Sequence, residues 1–188
     1  MMSGKLIFVT GGIRSGKSAF AEEITFRLGE KVTYLATAQV LDEEMRFRIE
    51  QHRERRPDSW ITLEEPINVT EAIIKQGKKC EVIMLDCLTI FISNLMIYEE
   101  QRIGKVTQKE MRNGILGEIS NLAKAAKKAA AHVVIVSNEV GLTLVSDNYL
   151  GRMYQELVGA ANQIVAGLAD EAYLVVAGHP IDLKKGFI

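Results

Sequence analysis

The sequence predicts an α/β fold, a mostly parallel sheet with helices on both faces, and three observations predict it. Short apolar runs alternate with longer helix-like segments from one end of the 188-residue chain to the other. Those runs are apolar at nearly every position, as suits strands buried on both faces of a parallel sheet. The first run leads through Gly11-x4-Gly16-Lys17-Ser18 into a helix-like segment, which is the phosphate-binding-loop pattern in the strand–turn–helix setting it needs.

Residues 6–10 read as the first strand and 17–28 as the first helix. Between them, Gly11, Gly12, Ile13, Arg14, Ser15, Gly16, Lys17 and Ser18 form the loop. Its glycines let successive N–H groups curl inward as an anion nest, and the helix aims its positive end at the same place. Lys17 would reach the β/γ phosphates, and the Ser18 hydroxyl would hold Mg2+. The second strand, 32–36, ends in Thr37-Ala38-Gln39. A helix over 42–56 follows, with Asp42 as cap, Glu43 and Glu44 in the first turn and Pro57 just beyond. Met45, Ile49, His52 and Arg56 share one face of it, so His52 lies among apolar positions, where a structural and a catalytic role both stand open. The same holds for Arg46, Arg48, Arg53, Arg55 and Arg56. They form either a solvated face paired with Glu43, Glu50 and Glu54, or a guanidinium clamp for phosphates.

Residues 60–63 read as a short edge strand, 66–76 as a helix and 82–85 as the third buried strand. That strand ends in Asp86, a carboxylate placed to hold Mg2+ from a strand beside the first. Cys87 next to it reads as a small buried filler. Helices over 88–102 and 108–131 follow, the second opened by a Thr107/Glu110 capping box. A strand at 133–137 leads to Asn138-Glu139, a helix spans 148–169, and a last strand at 172–177 leads to Gly178-His179-Pro180. Ligands of such sheets gather at the carboxyl ends of the strands, and every one of these exits carries polar or small residues.

Composition narrows the field. The length suits one domain, 1–188, and 47% hydrophobic residues argue against disorder. A net charge of −1 gives no bulk attraction to nucleic acid. Two cysteines, Cys80 and Cys87, make neither a metal-ligand spacing nor a disulfide framework. No apolar run reaches membrane-spanning length, and the first strand starts too early to leave room for a signal peptide. These features predict a soluble, cytoplasmic protein.

Several blocks together are more specific than the loop. They are Thr10 to Ser18; Ala36-Thr37-Ala38 with Asp42-x-Glu44-Met45; Arg48-Ile49-x-x-His52-Arg53-x-x-Arg56-Pro57-x-x-Trp60; Glu64-Glu65-Pro66; Asp86-Cys87-Leu88-Thr89; Ser93-Asn94-Leu95; Ser137-Asn138-Glu139-Val140-Gly141; Asn162-Gln163; Ala169-Asp170-Glu171; and Val175-Val176-Ala177-Gly178. In these the chain resembles, nearly end to end, the bifunctional adenosylcobinamide kinase / adenosylcobinamide-phosphate guanylyltransferase family of cobalamin biosynthesis. The resemblance implies a P-loop, RecA-like domain that assembles as a homotrimer. It implies phosphorylation of adenosylcobinamide with ATP or GTP, then transfer of GMP from GTP to adenosylcobinamide-phosphate through a GMP-histidine intermediate. The matching histidine is His52, with Lys17 as the second catalytic residue. The nucleotide site implied is Gly11 to Ser18, Thr37, Ala38, Gln39, Arg53, Glu54, Arg55, Arg56, Glu64 and Asp86, with Ser18 and Asp86 on Mg2+. The corrinoid and GTP/ATP are the partners implied. The alternatives are another small-molecule P-loop kinase with a structural His52, and a non-catalytic nucleotide-binding module. Three departures from the family pattern lie late in the chain: Leu142 to Ser146, Ala160 in place of a basic residue, and His179. They predict that guanylyl transfer is better preserved than the kinase step.

Overall fold

The computed structural model describes residues 4–39, 43, 56–103 and 107–185. The strands are β1 (Leu6–Gly11), β2 (Val32–Ala36), β3 (Ile61–Glu64), β4 (Val82–Asp86), β5 (His132–Val136), β6 (Glu171–Val176) and β7 (His179–Asp182). The helices are α1 (Lys17–Leu28), α2 (Val69–Gln76), α3 (Leu88–Ile103), α4 (Gln108–Lys128) and α5 (Tyr149–Leu168). The helix expected over 42–56 falls outside the described residues apart from Glu43 and Arg56, and Arg56 stands in a bend.

The seven strands run in the order β3-β2-β4-β5-β1-β6-β7. All neighbours are parallel except β6 and β7. Alternation along each strand divides the core into two layers. Leu6, Phe8, Leu35, Ile83, Leu85, Val133 and Ile135 pack under α2, α3, α4 and α5, against Ile73, Phe91, Ile119, Leu122 and Leu157 among others. Ile7, Val9, Val32, Tyr34, Val82, Met84, Val134 and Val136 face the opposite side, where α1 adds Ala21, Phe20 and Ile24. Each fully buried Leu, Ile or Phe contributes about 1.5–3 kcal/mol, so a one-residue slip of any central strand would forfeit several such terms.

The capping box is present: the Thr107 hydroxyl accepts from Glu110 N at 3.3 Å, and Thr107 N donates to the Glu110 carboxylate at 2.9 Å. Two expectations need correcting. β4, which carries Asp86, is not beside β1, because β5 lies between them. Residues 178–180 do not simply leave the sheet either. Ala177 (φ 49°) and Gly178 (φ 81°) make a two-residue turn with both residues in the left-handed region, and β7 returns antiparallel on the edge. Pro180 is tolerated there because an edge strand needs fewer donors.

Candidate functional site

The phosphate loop is held in shape by its backbone. Ser15 N donates to Gly12 O at 3.2 Å, and Phe20 N to Gly16 O at 3.0 Å. Gly16 has φ 95°, and a Cβ there would come within 3.1 Å of Gly178 Cα. A Cβ on Gly11 would meet Val175 O at 2.5 Å and Ser15 Oγ at 2.6 Å. The two glycines are therefore required for different reasons, one for its dihedral and the other for space. Neighbouring elements clamp the loop: Gly178 N donates to Ser15 O at 2.8 Å, and Glu139 N to Gly11 O at 3.0 Å. Lys17 Nζ folds back to Gly12 O at 3.2 Å, while Gly12, Ile13 and Arg14 are exposed at the mouth.

Among the described residues, three buried side-chain atoms at this end of the sheet have no hydrogen-bond partner: Thr10 Oγ1, Ser15 Oγ and Asn138 Oδ1. An orphaned buried polar atom costs about 1–3 kcal/mol, so three at one mouth mark a place built for a polar ligand.

Across the sheet, Glu64, Ala36, Asp86, Val136 and Val9 stand in one row, each paired with the next. At about 4.8 Å per strand the row spans roughly 19 Å. It brings three of the expected exits to one level beside the loop. Asp86 is held by Tyr34, whose hydroxyl donates to Asp86 Oδ2 at 2.7 Å. Burial and the Asp86 charge push the Tyr34 phenol well above its ordinary value, so it stays protonated and donates. The Arg56 guanidinium lies 3.6 Å from the centre of the Tyr34 ring, on its face. Arg56, Tyr34 and Asp86 thus form a chain of contacts from the end of the basic segment to the carboxylate.

Thr37 is fully buried, and its hydroxyl both donates to Cys87 O and accepts from Cys87 N, each at 2.9 Å. Asn94 donates to Thr37 O at 2.8 Å and to Pro66 O at 3.1 Å, so the β2 exit is tied to both β4 and α3. Burial first, then Asp86, pushes the Cys87 thiol up to about 11, so Cys87 is a neutral filler as expected. Ala38 is half-buried, and Gln39 and Glu64 are exposed. His52, Arg53, Glu54 and Arg55 lie outside the described residues.

Ser18 and Asp86 present oxygen donors of the kind Mg2+ takes. Among the described residues no group of three or more His, Cys, Asp or Glu gathers. Of the late departures, Leu142, Leu144 and Val145 are 84%, 94% and 77% exposed, and Ala160 is half-buried on α5. Sequence reasoning assigned no role to Tyr34 or Asn94. A lone Tyr in a strand of aliphatics and an Asn inside an apolar helix stretch were the available signals.

A family model described as cobinamide kinase / cobinamide phosphate guanyltransferase matches residues 7–183. The chain belongs to this family. Among its relatives in the cobinamide kinase / guanyltransferase family is the bifunctional adenosylcobalamin biosynthesis protein CobU of Escherichia coli K12, 38% identical over 95% of this chain and 99% of that protein. The protein of the same name from Salmonella typhimurium is 37% identical with the same coverage. CobP of Pseudomonas aeruginosa is 35% identical over 94% of this chain and 95% of that protein. Among solved structures, a prototypical type III secretion ATPase aligns with a TM-score of 0.60 at 11% identity, covering 92% of this chain and 51% of that one. The type III ATPase EscN gives 0.58 at 12% identity, covering 93% of this chain and 43% of that one. This chain spans about half the length of each or less, and the likeness is one of fold: a P-loop ATPase-like α/β domain.

Proposed function

We propose that this chain, as a single domain over 1–188, phosphorylates adenosylcobinamide with ATP or GTP and then forms adenosylcobinamide-GDP by transferring GMP from GTP. In the second reaction a ring nitrogen of His52 attacks the α-phosphorus, the bond to the β-phosphate oxygen breaks, and pyrophosphate leaves. The phosphate oxygen of adenosylcobinamide-phosphate then attacks the same phosphorus and releases His52. Splitting the transfer into two covalent steps lowers each barrier.

The observation that supports the reading is the row of strand ends from Glu64 to Val9, in which Asp86 stands level with the strand that opens into the glycine loop, with Arg56 stacked on the tyrosine that donates to Asp86. Backbone N–H groups and Lys17 would bind the triphosphate, and Arg53, Glu54, Arg55 and Arg56 lie in sequence next to His52, where guanidinium groups stabilise charge on the transferring phosphate. Thr37, Ala38 and Gln39 shape the wall between, with the Thr37 hydroxyl itself committed to Cys87. Glu64, exposed at the end of the row, suits hydrogen-bond donors of a guanine or ribose. Ser18 and Asp86 would hold Mg2+, which when bound neutralises charge on the phosphates. A homotrimer in the cytoplasm is part of the same proposal.

The test is incubation with α-labelled GTP followed by peptide mapping. The label is expected on the peptide containing His52, acid-labile and alkali-stable, and absent from His52→Asn. Undiminished labelling of that variant would remove His52 from the mechanism.

A further inference from the structure

Asn138 lies two residues past the end of β5, the strand that separates the phosphate-loop strand from the Asp86 strand. The β5–β1 ladder continues past the strand: Ser137 N donates to Val9 O at 2.9 Å and Glu139 N to Gly11 O at 3.0 Å. Asn138 is thereby carried level with Gly11, where the loop begins. Its backbone is fixed from the other face as well. Asn162, buried on α5, accepts from Ser137 Oγ at 2.6 Å and donates to Asn138 O at 3.1 Å. The Asn138 amide nitrogen lies 3.4 Å from Thr89 Oγ1, so the side chain bridges towards the start of α3, the helix that follows Asp86. Its Oδ1 is buried and has no partner among the described residues.

A fixed, buried acceptor between the loop and the start of α3, with no donor among the described residues, suits a donor supplied by a ligand. Phosphate oxygens are acceptors and would be repelled by it, whereas a hydroxyl can donate to it. We propose that Asn138 Oδ1 seats the hydroxyl of the phosphoryl acceptor, an alcohol, in line with the γ-phosphate. The inference rests on the kinase half of the function proposed above. In that step the acceptor oxygen forms a bond to the γ-phosphorus, the bond to the β–γ bridging oxygen breaks, the nucleoside diphosphate leaves and the hydroxyl proton passes to water. Phosphoryl transfer of this kind is loose and needs positioning more than a strong base, which an uncharged amide can supply.

The experiment measures both half-reactions on one preparation of each full-length variant: phosphorylation of adenosylcobinamide by ATP, and covalent loading of GMP from labelled GTP. Asn138→Ala is expected to lower the phosphorylation kcat by roughly 10- to 100-fold, with KM for ATP changed less than about threefold and GMP loading nearly intact. Asn138→Asp, nearly isosteric and still an acceptor, is expected to keep more phosphorylation than Asn138→Ala, so it also guards against a variant that merely fails to fold. Equal losses in both half-reactions, or phosphorylation undiminished in Asn138→Ala, would overturn the assignment. A wild-type chain that loads GMP yet never phosphorylates the corrinoid is a different failure: it sinks the proposed kinase function, and this assignment with it.

Discussion

The phosphate loop and the corner around Asp86 meet at one mouth, yet they are built by opposite means. The loop is backbone work. Main-chain hydrogen bonds hold the shape of its eight consecutive residues, and Gly11 and Gly16 are required for what they lack. The Asp86 corner is side-chain work: Arg56 stacks on Tyr34 and Tyr34 holds Asp86, while the Thr37 and Asn94 side chains tie the backbone of the β2 exit to Cys87 and to α3. A backbone device has to be contiguous and therefore leaves a motif. A side-chain device needs only the sheet register, so its members are scattered along the sequence.

The largest expected effect breaks the loop and leaves the corner alone. Gly16→Val would put a β-branched residue at φ 95° with its Cβ 3.1 Å from Gly178 Cα, and Gly11→Ala would set a Cβ 2.5 Å from Val175 O. Each should weaken nucleotide binding by about 100-fold or more, roughly 2.8 kcal/mol, while circular dichroism stays native. Titration with a fluorescent nucleotide measures it, and retained tight binding would show that the loop does not depend on these glycines.

The converse cut is Thr37→Val, which keeps the shape and removes the hydroxyl. Cys87 N loses its partner in a buried place, while Cys87 O keeps the Phe91 N–H, at a cost of about 1–2 kcal/mol in urea unfolding. Phosphate affinity should barely move, because the loop does not use this hydroxyl. A variant as stable as the wild type but weak in nucleotide binding would reverse the division of roles drawn above.

Cys87 gives the corner a pH signature. Burial and Asp86 raise its thiol from 9.0 to about 11 in the folded chain. The unfolded chain therefore loses this proton first. The stability contributed is whole below pH 9 and is lost as pH rises towards about 11. Melting curves between those values should slope downward by no more than about 3 kcal/mol, and Cys87→Ala should flatten this component. An unchanged slope in that variant would assign the loss to other groups.

How much was legible follows the same divide. β2 was legible from the sequence to the residue, and β1, β4, β5 and β6 to within one, because continuous apolar runs flanked by polar exits leave little choice of frame. α2 begins at Val69 rather than at 66, since Glu65 Oε1 accepts from the N–H groups of Ile67 and Asn68 and holds that stretch as a turn. β7 went unread because His-Pro after Gly178 looks like a loop, and only pairing with Val175 and Val176 makes it a strand. Of the site, the loop was readable as a motif, and Asp86 as a strand-end carboxylate. The place of Asp86 two strands from β1 was not readable, because sheet order depends on crossovers that no local pattern records. Tyr34 was hidden for the related reason that its partner lies far off in sequence and meets it only across paired strands.

The smallest effect tests the residue on which the corner turns. Tyr34→Phe keeps a buried ring beneath Arg56 and deletes only the hydroxyl that donates to Asp86. Asp86 is half-buried, so water can replace part of the lost bond, and the stability cost should be about 1 kcal/mol or less. What changes is orientation: a carboxylate released from its donor samples other rotamers, and if Asp86 holds Mg2+ as proposed, it does so less firmly. The Mg2+ concentration for half-maximal GMP loading should therefore rise several-fold, with nucleotide affinity in the absence of Mg2+ unchanged. Arg56→Lys is the companion variant, since it removes the planar group stacked on the ring while leaving the Tyr34–Asp86 bond in place. If the two variants shift the Mg2+ requirement alike, the contact chain acts as one unit from Arg56 to Asp86. If only Tyr34→Phe shifts it, Arg56 belongs to the phosphate-binding side, and the corner ends at the tyrosine.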